Sequence, residues 1–318
     1  SEYTDYSKEI MRMYQDKMLH IPFGYNVRTM LYRKDLFEER GLEVPDTFEE
    51  FLAVCQELTD PENDTYCYSL RGARGAFFPM PIFGLGGLGT NEFFDENGNW
   101  NLAKPDAVAG LEFLADLYRE HQVAPPEAIN WGFNELIQGF LSGRTMIYLN
   151  DQPTLNTVLD RMDPEQIGTA RVPAGPSGNR YTTVGGMGWI MPKQEDESDA
   201  HFAARQALMR HMASPETLLE IAAGDLKIPP IEGALERRPN LWGDKTKWLE
   251  PTLGMVEDDQ VYSIPLGHPY PENAQFIEEM SWQDWQKVLG GEATMQEIAD
   301  KWADFHEQAL SDYHETLE

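Results

Sequence analysis

Very little in this 318-residue chain is spaced to do covalent chemistry. There is no G-x-x-x-x-G-K-[ST] loop to cradle phosphates, no H-E-x-x-H pair to hold zinc, no G-x-S-x-G elbow and no cysteine beside a base. The 54 Asp and Glu residues produce carboxylate pairs by chance, so none stands out as the acid and base of a glycosidase. The run Gly84-Leu85-Gly86-Gly87-Leu88-Gly89 lacks dinucleotide-binding spacing and precedes a turn-rich hairpin rather than a helix. The seven histidines are dispersed, and the residues imply neither metal nor cofactor.

What the sequence does offer is recognition chemistry. Aromatic, amide and guanidinium side chains gather in four segments predicted to be turns or strand ends. These hold Arg71, Arg74, Phe77 and Phe78; Asn150 and Asp151; Gly185, Gly186 and Trp189; and His268, Tyr270 and Asn273. Flat rings suit the C–H face of a sugar, and planar polar groups can bond two adjacent hydroxyls at once. Glycines let a ligand approach the main chain. A carbohydrate or polyol site is therefore the expected chemistry. A carbohydrate-processing enzyme using a carboxylate pair and a transport-independent receptor or adhesin are the alternatives.

The elements that must position these residues alternate between strand and helix, which indicates an α/β fold. The stretch VRTMLYR predicts a strand and DLFEERG a helix. Thr47 and Glu50 form a capping box before Phe48, Phe51, Leu52, Cys55 and Leu58 at helical spacing. Further helices are expected from Pro105, over 133–141, from Pro215, over roughly 272–289 and from Thr294, with another face at Ile10, Met13 and Met18. Strands are expected at TYCYSLR, TMIYLN, IGTARVP and YTTVGGMGWIMP. Cys55 and Cys67 are the only cysteines, and free buried thiols and a disulfide both remain open. With 25 basic residues the formal charge is −29, which argues against nucleic acid and anionic membrane as partners. No apolar run approaches the ~18 residues of a membrane span, and no targeting segment is recognisable.

Several stretches in order resemble a known family. LHIPFGYNVRTMLYRKDLFEERGLEVPDTFEEFLAVCQELT is similar to its "Y-x-K-D-L-F … P-x-T-[WF]-x-E-F" segment, and FNELIQGFLSGRTM to its "F-x-x-G-K-x-A-M" helix and strand. Residues 183–192 resemble its "G-G-x-[GA]" return strand, Met212-Ala-Ser-Pro-Glu its "[LM]-x-S-P-E" helix start, and 290–298 its "G-x-x-x-[TS]-x-x-E-[AI]" element. The family is the sugar-binding, maltose-binding-protein-like branch of ABC importer solute-binding proteins. The resemblance implies a periplasmic-binding-protein fold of two lobes joined by a multi-strand hinge. Crossings would lie at 25–29, 188–191 and 229–233, and the N-terminal part of the first lobe would fall outside this chain. Residues 1–28 and 189–233 would then be first-lobe remnant and hinge, and 29–188 with 234–318 the second lobe. It adds Tyr25, Asn26 and Arg28, on the first crossing, to the candidate ligand contacts. It also implies a monomeric, non-catalytic protein that hands its carbohydrate to transmembrane permease subunits. The location would be periplasmic or otherwise extracytoplasmic, with a lipid anchor as one arrangement.

Overall fold

The computed structural model describes residues 2–5, 7–8, 20–257, 261–266 and 268–317; the expected helical face at Ile10, Met13 and Met18 lies outside them. In chain order, β1 (Ile21–Arg33) runs into α1 (Lys34–Arg40) and α2 (Phe48–Leu58), and β2 (Tyr66–Tyr68) is followed by α3 (Met80–Leu88) and α4 (Pro105–Arg119). Next come α5 (Phe133–Leu141), β3 (Thr145–Asp151), α6 (Pro153–Leu159), β4 (Ile167–Ala170) and β5 (Arg180–Trp189). The remainder is α7 (Asp199–Met212), α8 (Pro215–Gly224), α9 (Ala234–Arg237), α10 (Thr246–Glu257), β6 (Val261–Pro265), α11 (Glu272–Gln275), α12 (Ser281–Leu289) and α13 (Met295–Glu315).

The strands form one mixed sheet in the order β2-β3-β1-β5-β6, with β4 also on β1. The 13-residue β1 is the spine, and it changes partners midway. Its first half pairs antiparallel with β5, from Ile21 opposite Trp189 to Val27 opposite Val184. Its second half pairs antiparallel with β3, from Arg28 opposite Asp151 to Tyr32 opposite Ile147, and with β4. Successive residues of a strand point to opposite faces, and here both faces are covered. Met30, Ile147 and Leu149 join one apolar cluster with Phe51, Phe77, Trp285 and Trp302. Leu31 and Tyr148 join another with Phe140, Leu155 and Trp248. Leu218, Leu219 and Ala222 of α8 belong to that second cluster too, although the expected lobe division would separate them from Leu31.

Local chemistry explains most of the helix ends. Thr47 Oγ1 accepts from Glu50 N (3.2 Å), while the Glu50 carboxylate takes the amide of Asp46 rather than Thr47 (2.7 Å). At α13 the capping box is reciprocal, Thr294 with Glu297. Two regions departed from the pattern. The Gly-rich segment after Ala76, whose composition specifies no element, contains α3. It is helical because α3 and α4 touch backbone to backbone: a Cβ on Gly110 would stand 2.0 Å from Phe83 O, and one on Gly87 2.7 Å from Asp106 O. The single helix expected over 272–289 is interrupted by a π-helical turn at Phe276–Met280.

Cys55, in α2, and Cys67, in β2, are disulfide-bonded, with Cα atoms 4.8 Å apart. Titration of the unfolded, unreduced protein should find no free thiol. Replacing both cysteines should cost about 3 kcal/mol in denaturant unfolding, the scale for a short closed loop.

The C-terminal helix is pinned by an aromatic cluster. His306 is fully buried, stacked on Trp100 at 3.9 Å, and its Nδ1 is 2.7 Å from Tyr270 Oη. Burial pushes His268, which packs edge-on to Phe93, down to about 4, and burial with the neighbouring His268 holds His306 well below the ordinary imidazole range. Both histidines are harder to protonate folded than unfolded, so the unfolded state binds more protons as pH drops below about 6.5. Stability should therefore fall between roughly pH 6.5 and 4. Urea unfolding across that range checks it, and the His306→Phe variant should show a shallower slope.

Candidate functional site

The site follows from the midpoint of β1. Residues two apart on a strand share a face, so Asn26 and Arg28 project together. Cross-strand register brings Asp151 opposite Arg28 and Gly185 opposite Asn26. Asn26 Nδ2 donates to Asp151 Oδ2 at 2.9 Å, and Arg28 Nη2 lies 3.8 Å from the same oxygen. Gly185 leaves this face open, since a Cβ there would meet only Arg28 Nη1, at 3.8 Å. Asn150 and Gln152 flank Asp151 at the end of β3; both are buried, and Gln152 Oε1 accepts the main-chain amide of Val27 at 3.0 Å.

A ring and a second guanidinium cover this face. The Phe78 centroid is 5.0 Å from Arg28 Cζ and 5.6 Å from Arg71 Cζ, within cation–π range. Phe78 is tethered by Thr183 Oγ1, which donates to its carbonyl at 2.8 Å. Arg71 is held by Nε donating to Arg74 O at 2.8 Å and lies 5.7 Å from the Phe133 ring. The turn closes at Gly75, whose φ of +86° and missing Cβ leave room for the guanidinium. Arg71, Arg74, Gly75, Phe78, Phe133 and Glu278 line a cavity of about 330 Å³, the low end of the ~300–1,000 Å³ usual for small-molecule sites.

Four side-chain atoms at this junction are buried without a hydrogen-bond partner among the described residues: Asn26 Oδ1, Arg28 Nε, Asn150 Nδ2 and Gln152 Nε2. Buried polar atoms are ordinarily paired, because desolvating one without compensation costs about 1–3 kcal/mol. Three donors and one acceptor without protein partners are groups that the hydroxyls of a small molecule can bond. Burial lowers Arg28, offset in part by Asp151, and burial with the neighbouring Arg28 pushes Arg71 down to about 10, still well above neutral pH.

The structure thus gathers Asn26, Arg28, Arg71, Phe78, Asn150, Asp151 and Gly185, with Gly186 next along β5. Tyr25 is buried beneath, bonded through its main chain to Ile228, and burial pushes its phenol up to about 12. Arg74 sits at the rim, its Nε donating to Glu278 Oε2 at 2.6 Å. Trp189 is four residues beyond Gly185, about 13 Å along the strand, where it packs on Phe23. Phe77, His268, Tyr270 and Asn273 are not brought to the junction. Phe77 points into the core against Phe276, and His268 and Tyr270 pack around His306. Asn273 donates to Leu266 O at 3.3 Å. Gln152 ends the recognition segment that the sequence marks from Asn150, though it was not singled out as a contact, and Phe133 was missed. The latter reads as one of an apolar helical face, yet is 43% exposed over Arg71. Glu278 was hidden inside the unanticipated π-turn.

Residues 1–218 match the family described as bacterial extracellular solute-binding protein, and the chain belongs to that family. Its members are solute-binding proteins rather than enzymes. Among curated proteins it is 26% identical over 173 residues to the mannitol-binding protein of Pseudomonas aeruginosa, covering 54% of this chain and 38% of that one. It is 24% identical over 177 residues to the erythritol/L-threitol-binding protein of Mycolicibacterium smegmatis, covering 54% and 37%. The chain thus matches well under two thirds of the length of these relatives. Among solved structures, the GacH receptor of Streptomyces glaucescens superposes with a TM-score of 0.79 at 20% identity, over 98% of this chain and 76% of that one. That likeness shows the periplasmic-binding-protein fold. No helix among the described residues is long and apolar enough to cross a membrane.

The Gln152 side chain should matter to the fold as well as the site. Gln152→Ala strips the acceptor from the buried Val27 amide and should cost about 1–3 kcal/mol in denaturant unfolding, whereas Gln152→Glu keeps an acceptor there and should cost less.

Proposed function

We propose that this protein captures a sugar or polyol at the β1 junction and delivers it to the permease of an ABC importer, without altering it. The observation that carries the reading is the set of four unpartnered buried polar atoms where β1 changes partners, one of them on Arg28, whose guanidinium lies against the Phe78 ring. Arg28 Nε, Asn150 Nδ2 and Gln152 Nε2 lack partners among the described residues, and a ligand rich in hydroxyls would supply them. The polyol names of two relatives agree with this chemistry, and the roughly 330 Å³ cavity favours a ligand near one sugar ring in size.

The lobe division follows from the same reading. Three segments converge here, with Tyr25 bridged to Ile228 and opposite Gly186, which is the arrangement a multi-strand hinge would need. Residues 1–28 and 189–233 are read as first-lobe remnant and hinge, and 29–188 with 234–318 as the second lobe. A ligand touching both lobes stabilises the closed form, because only there are all its contacts made. The protein would act as a monomer outside the cytoplasm, where the Cys55–Cys67 bridge is chemically stable.

Calorimetry of the full-length protein against sugars and polyols, with product analysis of each mixture, tests the reading. One or more should bind unchanged, and Asp151→Ala or Phe78→Ala should each weaken binding about 10- to 100-fold. Turnover at enzyme-like rates, or binding indifferent to both substitutions, would sink it.

A further inference from the structure

Not every charge at the junction has a contact ion pair. Asp151 is the carboxylate that faces Arg28, and the same Asp151 oxygen also accepts from Asn26. Arg74 is matched by Glu278, and the other cavity-lining carboxylate, Glu135, is committed to capping α5 through the Gly132 amide at 3.0 Å. Arg71 has no carboxylate within ion-pair distance among the described residues. It is fixed instead by a carbonyl and two rings. A guanidinium near a second, buried guanidinium and without a carboxylate in contact leaves its donor fork free for an anion. Its planar donor fork suits the two oxygens of a carboxylate or phosphate.

We propose that the ligand of this site is an acidic sugar, a uronate or a sugar phosphate, whose anionic group is taken by Arg71 with Arg28 while its hydroxyls meet Asn150, Asp151 and Gln152. This rests on the carbohydrate reading above and narrows it. Phe78 and Phe133 would shield the ion pair from water, and Arg74, already neutralised by Glu278, would contribute at the rim.

The test is calorimetry of the full-length protein with D-glucuronate, D-galacturonate and D-glucose 6-phosphate, set beside D-glucose, D-galactose and the methyl ester of D-glucuronate. At least one anion should bind about tenfold or more tightly than its neutral counterpart, the gain expected from a charged hydrogen-bonded pair. Uronates leading would identify a carboxylate site, and the phosphate leading a phosphate site. Arg71→Gln should bring the ratio of anion to neutral affinity close to one, and Arg71→Lys should retain part of it. The methyl ester comparison needs no variant, so it stands even if Arg71→Gln misfolds. Neutral sugars binding as tightly as their acids would overturn the anion assignment and leave the carbohydrate reading intact. Binding by none of the six would overturn the anion assignment, and the panel of sugars and polyols above would then decide the carbohydrate reading.

Discussion

The structure depends on how β1 keeps a guanidinium inside the protein. Arg28 is only 5% exposed, and a cation buried that deeply is tolerated only where charge and hydrogen bonds surround it. β1 supplies the charge by changing partners at this point, and leaves Arg28 Nε without a partner among the described residues. Because β3 ends level with Arg28, the Asp151 carboxylate arrives opposite, and because β5 begins its glycines there, space is left on the same face. Thr182 Oγ1 donates to the Arg28 carbonyl at 2.8 Å while Thr183 anchors Phe78 above the guanidinium. Two apolar clusters, one on each side of the sheet, hold the strands in that register. A slip by one residue would move Arg28 to the opposite face, so packing throughout the sheet specifies the site geometry.

Such an arrangement carries a cost in stability. The unpartnered donors and the buried guanidinium are compensated elsewhere, by the buried Trp302, whose indole donates to Asp284, by the capped α13 and by the Cys55–Cys67 bridge. Rigid elements carry the polar groups, so little conformational entropy is lost on binding. The more adaptable groups, Arg74 and Phe133, stand at the rim on a turn and a helix end.

Where the chemistry is local, the sequence showed the structure directly. Thr47, Pro105 and Thr294 mark helix starts because capping depends on residues within one turn, and strands such as TMIYLN are legible from apolar runs. Asn150, Asp151 and Gly185 stand out because amides and glycines at strand ends have few structural reasons to be there. Phe77 and Phe78 could not be told apart, since adjacent aromatics face opposite ways only once the turn is built. His268, Tyr270 and Asn273 share the composition of a binding loop, but His268 and Tyr270 pack against His306 of α13, a contact formed between distant parts of the chain, and Asn273 bonds the nearby Leu266 carbonyl. Phe133 was misjudged for the opposite reason, a residue at helical spacing left exposed at the first position of α5.

The most direct test of the account is a crystal structure of the full-length protein with the small molecule that co-purifies with it. The account predicts that ligand oxygens lie within hydrogen-bond distance of Arg28 Nε, Asn150 Nδ2 and Gln152 Nε2, beneath the Phe78 ring and in reach of Arg71. A ligand seated elsewhere, with those three donors bonded only to protein or water, would contradict it.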